Sequence, residues 1–415
     1  MNGKILAIIG NGMACNRVLE ELGEHHPYQR ILIMGDESIP HYNRIMLSPL
    51  LAEETTLPAI TPHEPSWYQQ RRTEVLLNQT VNNLDIRERQ LTTDKGVVIQ
   101  FDDLIFATGS RSFIPPVPGA DHPDVIGFRT MSDVDRMLEK MPGLKQAVVI
   151  GAGLLGVEAA VGLRHHGIDV TLLHRNPVLM NRQLDATASG ILERELTNRG
   201  IHVMTGVSPE EILSDSDAIS AVRVLTRDGV QSLPAQLVIF ATGITPNAEL
   251  AKEAGITTGR GIAVNSQMQT SEAGIYALGE CCEFDGNTYG LVAPIWDQAK
   301  VLAKQLMSPS ESDLHYLERT HLTKLKVSGL DVHSIGEFNA PDDSCDVLTL
   351  EDLTMGVYKK LILKNDRIIG VLCVGDVSDS HWFYDLMVSD IDVTPFRENL
   401  IFGEGYCEEF ERDTA

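Results

Sequence analysis

The sequence predicts an α/β chain in which two parallel-sheet domains of the same design accompany a smaller C-terminal β-rich α+β domain. Two observations predict the paired domains. A glycine-rich turn between an apolar strand and a helix occurs twice, at Gly10 and Gly151, and an apolar strand ending in Ala-Thr-Gly also occurs twice. A third observation predicts the last domain, because alternating and apolar strands, two of them joined by the hairpin signal Asn365-Asp366, replace the strand–helix pattern from about Leu322. The expected domains are residues 1–115 with 246–320, residues 116–245, and residues 321–415.

The first glycine turn follows the strand KILAIIG and precedes a helical pattern, and the strand RILIMGDE comes next. Gly10 allows the tight turn, and Gly12 lets the backbone approach a pyrophosphate at the positive end of the helix. Glu37 lies just past the second strand, where an acid can accept hydrogen bonds from ribose hydroxyls. Cys15 stands where a third glycine is expected. Because that glycine serves helix–strand packing, we expect a working nucleotide loop with looser packing.

The second glycine turn is complete, with Gly151, Gly153 and Gly156 following the strand AVVI. A helix then continues through Leu163, and DVTLL forms the next strand. One such motif is weak evidence, but two in strand–turn–helix–strand context predict two Rossmann-like nucleotide-binding domains.

Further strands support this organisation. The segments 102–110 (DDLIFATGS) and 235–247 (AQLVIFATGITPN) each supply the strand that closes one domain. A strand over Ile275–Leu278 then ends in Gly-Glu, and a helix is expected to start near Pro294. The order of these elements, rather than any one of them, carries the prediction.

Composition limits the classes of partner. The chain has 34 basic and 58 acidic residues, so its net charge of −24 argues against nucleic acids and anionic membranes as partners. It contains no apolar run of 18 residues, and its N-terminus does not resemble a secretory signal, so we expect a cytoplasmic protein. None of its six cysteines forms a C-x-x-C pair, and no metal site is predicted.

These motifs together resemble the pyridine nucleotide-disulfide oxidoreductase superfamily of FAD flavoproteins. The strings HYNRIMLSPLLAEE, GLLGVEAAVGLRHHG, LMNRQLD, YGLVAP and TKLKVSGLDV are similar to a narrower branch. That branch comprises the flavoprotein portion of the assimilatory nitrite reductase large subunit and the electron-transfer subunit of assimilatory nitrate reductase. The resemblance extends to about Gly403. It implies an FAD-dependent NAD(P)H oxidoreductase.

The resemblance also implies which residues hold each cofactor. The FAD contacts would be Gly10, Gly12, Met13, Ala14, Glu37, Arg44, Ser48, Ala107, Thr108, Gly109, Gly279 and Glu280. The nicotinamide cofactor would contact Gly151, Gly153, Leu155, Gly156, His174, Arg175 and Gly243. No side chain is expected to perform the chemistry, and the supporting candidates are Glu158 and Trp296.

Two departures from the superfamily pattern concern the flavin. Glu280 stands where aspartate is usual, and its extra methylene should keep the bond to the ribityl chain. Pro49 replaces a lysine that ferredoxin-reductase relatives carry beside the flavin, so no lysine–glutamate pair can involve that position. Glu158 is expected either to have another partner or to be solvated.

The resemblance implies hydride transfer from NADH to FAD, followed by single-electron steps to a protein acceptor. This acceptor is either the catalytic subunit of nitrate or nitrite reductase or a small redox protein, as in a rubredoxin or ferredoxin-type reductase. A disulfide reductase is excluded because the segment 41–54 contains no cysteine. A non-catalytic flavin-bound scaffold or redox sensor, using Cys15 or the Cys281–Cys282 pair, is the alternative from a different class.

Three expectations concern the cofactor and assembly. His174 and Arg175 end a strand without an acid, which favours NADPH, whereas the resemblance favours NADH. We therefore expect NADH to be preferred and both cofactors to be usable. With only Cys407 near the end of the sequence, no iron–sulfur cluster is expected, since a cluster needs four ligands. The oligomeric state is left open, and a homodimer formed through the C-terminal domain is one expectation.

Overall fold

A computed structural model describes residues 3–215, 217–308, 313–320, 322–327 and 329–407. The chain forms two compact units. The first comprises Met1–Phe113 with Gly243–Arg319, and the second comprises Ile114–Thr242 with Thr320–Ala415. These boundaries lie within three residues of the predicted ones, and the separation of the second unit into two domains stays a prediction.

The strands follow the chain in four groups. The first group is β1 (Ile5–Ile9), β2 (Arg30–Met34), β3 (Thr73–Leu76), β4 (Val81–Asp85), β5 (Gln90–Thr93), β6 (Val98–Gln100), β7 (Asp103–Phe106) and β8 (Ser110–Ser112). The second is β9 (Val125–Gly127), β10 (Gln146–Ile150), β11 (Asp169–His174), β12 (His202–Thr205), β13 (Ser208–Asp215), β14 (Ala218–Thr226), β15 (Gly229–Pro234) and β16 (Leu237–Phe240). The third is β17 (Ile244–Pro246), β18 (Ile262–Val264), β19 (Ile275–Ala277), β20 (Cys282–Phe284) and β21 (Asn287–Thr288). The last is β22 (Thr323–Val327), β23 (Leu330–Gly336), β24 (Asp346–Asp352), β25 (Val357–Lys364) and β26 (Arg367–Val374).

The α-helices are α1 (Met13–Leu22), α2 (Leu47–Leu51), α3 (Leu57–Ile60), α4 (Pro65–Gln70), α5 (Met131–Lys140), α6 (Leu154–His165), α7 (Ala186–Asn198), α8 (Glu249–Glu253), α9 (Val292–Met307) and α10 (Ser380–Val388). Short 3-10 helices lie at Arg44–Met46, Gly279–Cys281, Thr394–Phe396, Leu400–Phe402 and Glu404–Tyr406. Among the described residues, no helix is both long and apolar enough to cross a lipid bilayer.

The first unit is built on a parallel sheet with the strand order β19-β7-β1-β2-β3. Its central strand, ILAII, is apolar at every position and is buried from Leu6 to Ile9. Such continuous burial is typical of parallel strands that are covered on both faces. A polar sheet of β4, β5 and β6 joins β3 to β7. Because β1 and β2 are parallel, their carboxyl ends lie at the same edge of the larger sheet, which is where ligands bind in open α/β sheets.

The second unit repeats this design with a parallel sheet in the order β12-β11-β10-β16-β9. Its central strand, β10, is again followed by a glycine turn and a helix. The two predicted Rossmann-like sheets are thereby confirmed.

The remainder of the second unit contains an antiparallel sheet in the order β22-β23-β26-β25-β24. Asn365 and Asp366 join β25 to β26 with φ angles of 51° and 52°. Two positive φ angles are the signature of a type I′ hairpin, as the Asn-Asp pair predicts. Helix α10 packs on the sheet and contributes the fully buried Phe383.

Candidate functional site

The first glycine turn forms a backbone cradle at the carboxyl end of β1. Gly10 has a φ of +106°, and a Cβ placed there would lie 2.2 Å from the Ala107 carbonyl oxygen. Gly12 has an ordinary φ of −92° and forms the N-cap of α1. Apart from its chain neighbours and the backbone of its own helix, no atom of the described residues lies within 4 Å of a Cβ placed at Gly12. Chain packing thus requires Gly10, whereas the space above Gly12 stays open for a group bound at the positive end of α1.

Cys15 and Gly156 occupy equivalent positions in the two glycine turns but have different surroundings. A Cβ at Gly156 would lie 1.7 Å from the Gly151 carbonyl oxygen, so α6 crosses its turn at close range. Cys15 carries a full side chain there and is 1% exposed. Helix α1 must therefore stand farther from its turn than α6 does. Burial raises the pKa of the Cys15 thiol, which keeps it protonated.

Glu37 lies at the carboxyl end of β2, as predicted, and two neighbours hold its carboxylate. The Tyr42 hydroxyl donates to one oxygen over 2.8 Å, and the Arg44 guanidinium pairs with the other. Arg44 also lies 5.6 Å from the centre of the Tyr42 ring. Each carboxylate oxygen keeps a further lone pair, so the oriented Glu37 can still accept ribose hydroxyls.

His41 belongs to this region and was missed by sequence reasoning. The side chain is 5% exposed, and its Nδ1 atom has no hydrogen-bond partner among the described residues. Burial, and then the charges of Arg44 and His63, lower the pKa of His41 to about 4, while a bond to the backbone of Asn11 opposes them. A neutral, buried ring with an unused nitrogen beside the first glycine turn fits a site built to enclose a polar ligand. The signal in the sequence was the position of His41 in the segment HYNRIMLSPLLAEE, which is similar to the nitrite and nitrate reductase branch.

The Gly279–Glu280 turn is anchored on two sides. The Gly279 N–H donates to Oε1 of Gln298 on α9 over 2.8 Å, and a Cβ at Gly279 would lie 3.0 Å from that of Ala14. The Ser110 hydroxyl donates to Glu280 over 3.0 Å. Ala14 and Gly279, predicted from distant parts of the sequence, are therefore neighbours.

Thr108 and Gly109 follow β7 and are fixed by the loop that starts after β17. The Thr108 hydroxyl donates to the Asn247 carbonyl over 2.6 Å, and the Asn247 amide returns a bond of 2.9 Å to the Thr108 carbonyl. Gly109 has a φ of +62° and accepts a bond from the Asn247 N–H. The proton of the Thr108 hydroxyl is therefore donated within the protein, whereas its oxygen can still accept a hydrogen bond.

The remaining predicted flavin residues lie on helices. Met13 begins α1, and Ser48 lies on α2. Helix α9 begins at Val292, two residues before the expected Pro294. Trp296 on this helix is partly buried against the core of the first unit, and the Arg17 guanidinium lies 5.5 Å from its ring centre.

The second glycine turn repeats the cradle. Gly151 has a φ of +106°, with a Cβ placed there 2.4 Å from the Ala241 carbonyl oxygen. Gly153 forms the N-cap of α6 with a φ of −77°. In the described part of the chain, only its own neighbours and helix backbone come within 4 Å of a Cβ placed there. Leu155 is partly exposed in the first turn of α6. The space above Gly153 is thus open in the same way as that above Gly12.

The end of β11 differs from the end of β2. The Ala152 N–H donates to Nδ1 of His174 over 3.1 Å, and Nε2 of His174 lies 3.2 Å from Oδ1 of Asn181. Both ring nitrogens of His174 are therefore engaged by the protein. Burial lowers the pKa of His174 below its usual value. Arg175 is exposed to solvent.

Two further predicted residues lie outside the glycine turn in the sequence. Glu158 is partly buried on α6. Gly243 has a φ of +119° and belongs to the first unit, where its carbonyl accepts a bond from the Phe113 N–H.

The adjacent cysteines are buried and inert. Cys281 and Cys282 have no exposed surface, and each thiol donates to a backbone carbonyl over 3.2 Å, to Leu278 and Gly279 respectively. Burial raises the pKa of both thiols, so neither forms a reactive thiolate at neutral pH.

Comparison with known proteins agrees with this geometry. Residues 4–305 match the family model "Pyridine nucleotide-disulphide oxidoreductase", and residues 322–391 match "Rubredoxin NAD+ reductase C-terminal domain". The chain is 41% identical to a nitrite reductase [NAD(P)H] of Bacillus subtilis, covering 95% of this chain and 48% of that protein. It is 40% identical to the assimilatory nitrate reductase electron transfer subunit of the same organism, covering 97% of this chain and 51% of that protein. The chain thus spans about half the length of the curated relatives it matches.

Solved structures share the fold over nearly the whole chain. The ferredoxin reductase for the CYP199A2 system of Rhodopseudomonas palustris has a TM-score of 0.86 at 26% identity, covering 99% of this chain and 100% of that one. The NADH:rubredoxin oxidoreductase of Clostridium acetobutylicum has a TM-score of 0.77 at 26% identity, covering 95% and 97%. The resemblance inferred from the motifs is confirmed, and the chain belongs to the pyridine nucleotide-disulphide oxidoreductase family as an FAD-dependent NAD(P)H oxidoreductase.

Proposed function

We propose that this chain passes electrons from NADH through FAD to a separate redox protein, the catalytic subunit of an assimilatory nitrate or nitrite reductase. Two relatives at 40–41% identity carry the names nitrite reductase and electron transfer subunit of nitrate reductase, which supports this choice of acceptor. Because the chain spans about half of each relative, we propose this acceptor and do not assign it from the relatives' names alone.

One observation carries the proposal: each unit has a nucleotide cradle, and no described thiol of the first unit, where the flavin would bind, is suited to receive electrons. In the first unit the described cysteines are Cys15, Cys281 and Cys282, all buried and all with raised pKa values. The segment 41–54, which follows the ribose-binding strand, contains no cysteine. Electrons that reach the flavin therefore leave to another molecule.

The residues of the first unit fit FAD. Bound FAD would supply the chemistry, since flavins accept a hydride from reduced nicotinamide and release electrons singly. The N-terminus of α1 would bind the pyrophosphate, and Glu37, oriented by Tyr42 and Arg44, would bind the ribose. Glu280 would hold the ribityl chain. The N-terminus of α9 would place a positive helix end near the flavin ring.

The residues of the second unit fit a nicotinamide dinucleotide. The N-terminus of α6 offers the same cradle above Gly153, with Leu155 exposed at its rim. Arg175 makes no ion pair among the described residues and is exposed. We propose that NADH is preferred, as the motif resemblance implies. NADPH should also be used, because a solvent-exposed arginine can reach its additional phosphate without being fixed in the site.

Steady-state rates with each cofactor test this preference. In Arg175→Ala, turnover with NADPH should fall while turnover with NADH changes little. A wild-type chain that strongly prefers NADPH would reverse our ordering. Equal losses with both cofactors would assign Arg175 to the shared part of the dinucleotide.

The overall function is tested with purified chain carrying its flavin. The flavin released on denaturation should be FAD at one per chain, and NADH should drive continuous reduction of ferricyanide. A flavin that bleaches once without turnover would favour the sensor or scaffold instead. Iron and acid-labile sulfide should be absent from the preparation, and stoichiometric amounts of both would contradict the proposed route of the electrons.

A rubredoxin-type acceptor is the second candidate, because residues 322–391 match the rubredoxin NAD+ reductase C-terminal domain. NADH-driven reduction of rubredoxin and of nitrate or nitrite reductase should be compared at equal acceptor concentrations. Faster reduction of rubredoxin by two orders of magnitude would replace the first proposal with this one.

A further inference from the structure

His174 connects the second glycine turn to the string LMNRQLD, which covers residues 179–185. The peptide of Ala152, between the two glycines, is held on both sides by this part of the chain. Its N–H donates to Nδ1 of His174 over 3.1 Å, and its carbonyl accepts from the Met180 N–H over 2.9 Å. The conformation of the turn therefore depends on residues that lie outside the glycine motif.

The hydrogen bonds determine which nitrogen of His174 carries the proton. A backbone N–H can only donate, so Nδ1 must be the acceptor and the proton of the neutral ring must lie on Nε2. Nε2 then donates to Oδ1 of Asn181, at 3.2 Å. In a protonated ring, Nδ1 would also carry a hydrogen and would face the Ala152 N–H, placing two donors against each other. The arrangement is stable only while His174 is neutral.

Asn181 is itself well placed to hold the ring, because its segment is fixed at both ends. Met180, next to it, is 1% exposed and has a φ of +48°. At the other end, Oδ1 of Asp185 accepts from the Ala188 N–H and caps α7, while Oδ2 accepts from Tyr358 and Lys360, each over 2.8 Å. The orientation of His174 is thus built into the second unit.

We propose that His174 is a positioning residue, which orients the Ala152 peptide and with it the N-terminus of α6, and that the second unit binds NAD(P)H only while this ring is neutral. The proposal rests on the proposed function in assigning NAD(P)H to this turn. It replaces a direct contact between His174 and the ribose, since both ring nitrogens are already engaged.

The surroundings of the ring set the direction of the pH dependence. Burial lowers the pKa of His174, and the charge of Arg175 lowers it further. The Asn181 amide and the Val178 backbone oppose this, and the net direction is downward. The neutral ring and its two hydrogen bonds therefore persist at and above neutral pH. The affinity for NAD(P)H should fall as the pH drops through the lowered pKa of His174. Below that pKa the dissociation constant should rise about tenfold per pH unit, because the competing proton binds one site.

Anaerobic stopped-flow measurements test this with FAD-loaded protein, mixed from neutral stocks into buffers between pH 5 and 8. The rate of flavin bleaching as a function of NADH concentration separates the dissociation constant from the hydride-transfer rate. Wild type should show the rising dissociation constant at acid pH. His174→Leu should weaken NADH binding at least tenfold at pH 7.5, and Asn181→Ala should weaken it severalfold through loss of the ring's orientation. Both variants should keep their FAD, and their urea denaturation should match that of wild type, which reports on folding of the second unit.

Two variants complete the design. His174→Asn keeps an acceptor near the Ala152 N–H but cannot be protonated, so it should recover part of the affinity lost in His174→Leu and remove the pH dependence. His202→Asn, at an exposed position on β12 of the same unit, is the matched control and should keep the wild-type profile.

Three results would overturn the proposal: a flat wild-type profile, an unchanged profile in His174→Asn, or a loss in His174→Leu that disappears with an NADH analogue lacking the adenosine 2′-hydroxyl. The last would mean that His174 binds the ribose directly. Wild-type flavin that NADH does not reduce at any pH would instead refute the proposed function.

Discussion

Gly153→Ala separates the needs of the protein from those of its ligand. The φ and ψ angles of Gly153 are −77° and −175°, which alanine adopts without strain. Among the described residues, the added Cβ would have no close contact beyond its own chain neighbours and helix. The variant should therefore fold and melt like wild type. If the dinucleotide pyrophosphate lies against this backbone at the N-terminus of α6, the new methyl group occupies its place. We expect a loss of NADH affinity of about 10- to 100-fold, equivalent to about 1.4–2.8 kcal/mol.

The assay is flavin reduction by NADH in the FAD-loaded variant, with thermal unfolding recorded on the same samples. Gly190→Ala is the matched control, since this glycine lies within α7, where an added Cβ meets nothing and alanine is the better helix former. Gly156→Ala is the opposite case, because its Cβ would lie 1.7 Å from the Gly151 carbonyl and should destabilise the fold itself. Wild-type NADH affinity in Gly153→Ala would refute the placement of the dinucleotide above this turn.

Two further substitutions test separate parts of the chain. Glu37→Ala should weaken FAD binding by about 1–3 kcal/mol through loss of the ribose acceptor, as measured by titrating apoprotein with FAD. Unchanged affinity would exclude Glu37 from the site. Lys360→Met should lower the free energy of unfolding of the second unit by about 3 kcal/mol, because it leaves the buried Asp185 carboxylate without its ion-pair partner. Urea denaturation should show this loss, with Lys364→Met, at an exposed ion pair, as the nearly neutral control.

Sequence reasoning located those parts of the molecule whose steric demands are local. Gly10 and Gly151 must be glycine, because a Cβ at these positions would lie 2.2 and 2.4 Å, respectively, from a carbonyl oxygen. Such local contacts fix which positions are glycine, so the motif can be recognised from the sequence. The Asn365-Asp366 hairpin was recognisable for a similar reason, because few residues accept two consecutive positive φ angles.

The features that sequence reasoning missed depend on contacts between distant segments. The unpaired Nδ1 of His41 becomes evident only when the ring is buried beside the first glycine turn. The hydrogen bonds of the His174 ring, to Ala152 on one side and to Asn181 on the other, were also not predicted. Neither partner is implied by the residue type at the end of a strand, since hydrogen bonding there depends on how the following loop folds back.

The side chain of Cys15 bears on how such chains are identified. The first glycine of the turn is required by a close backbone contact, and the second by the approach of the ligand. The third is required only where the helix crosses the turn at close range. A helix held slightly farther away, as α1 is by Cys15, removes that third constraint without altering the cradle. A search that demands three glycines would miss the first unit of this chain and accept only the second. The criterion that follows the physics is two glycines, a strand before them, and a small residue wherever the helix leaves it room.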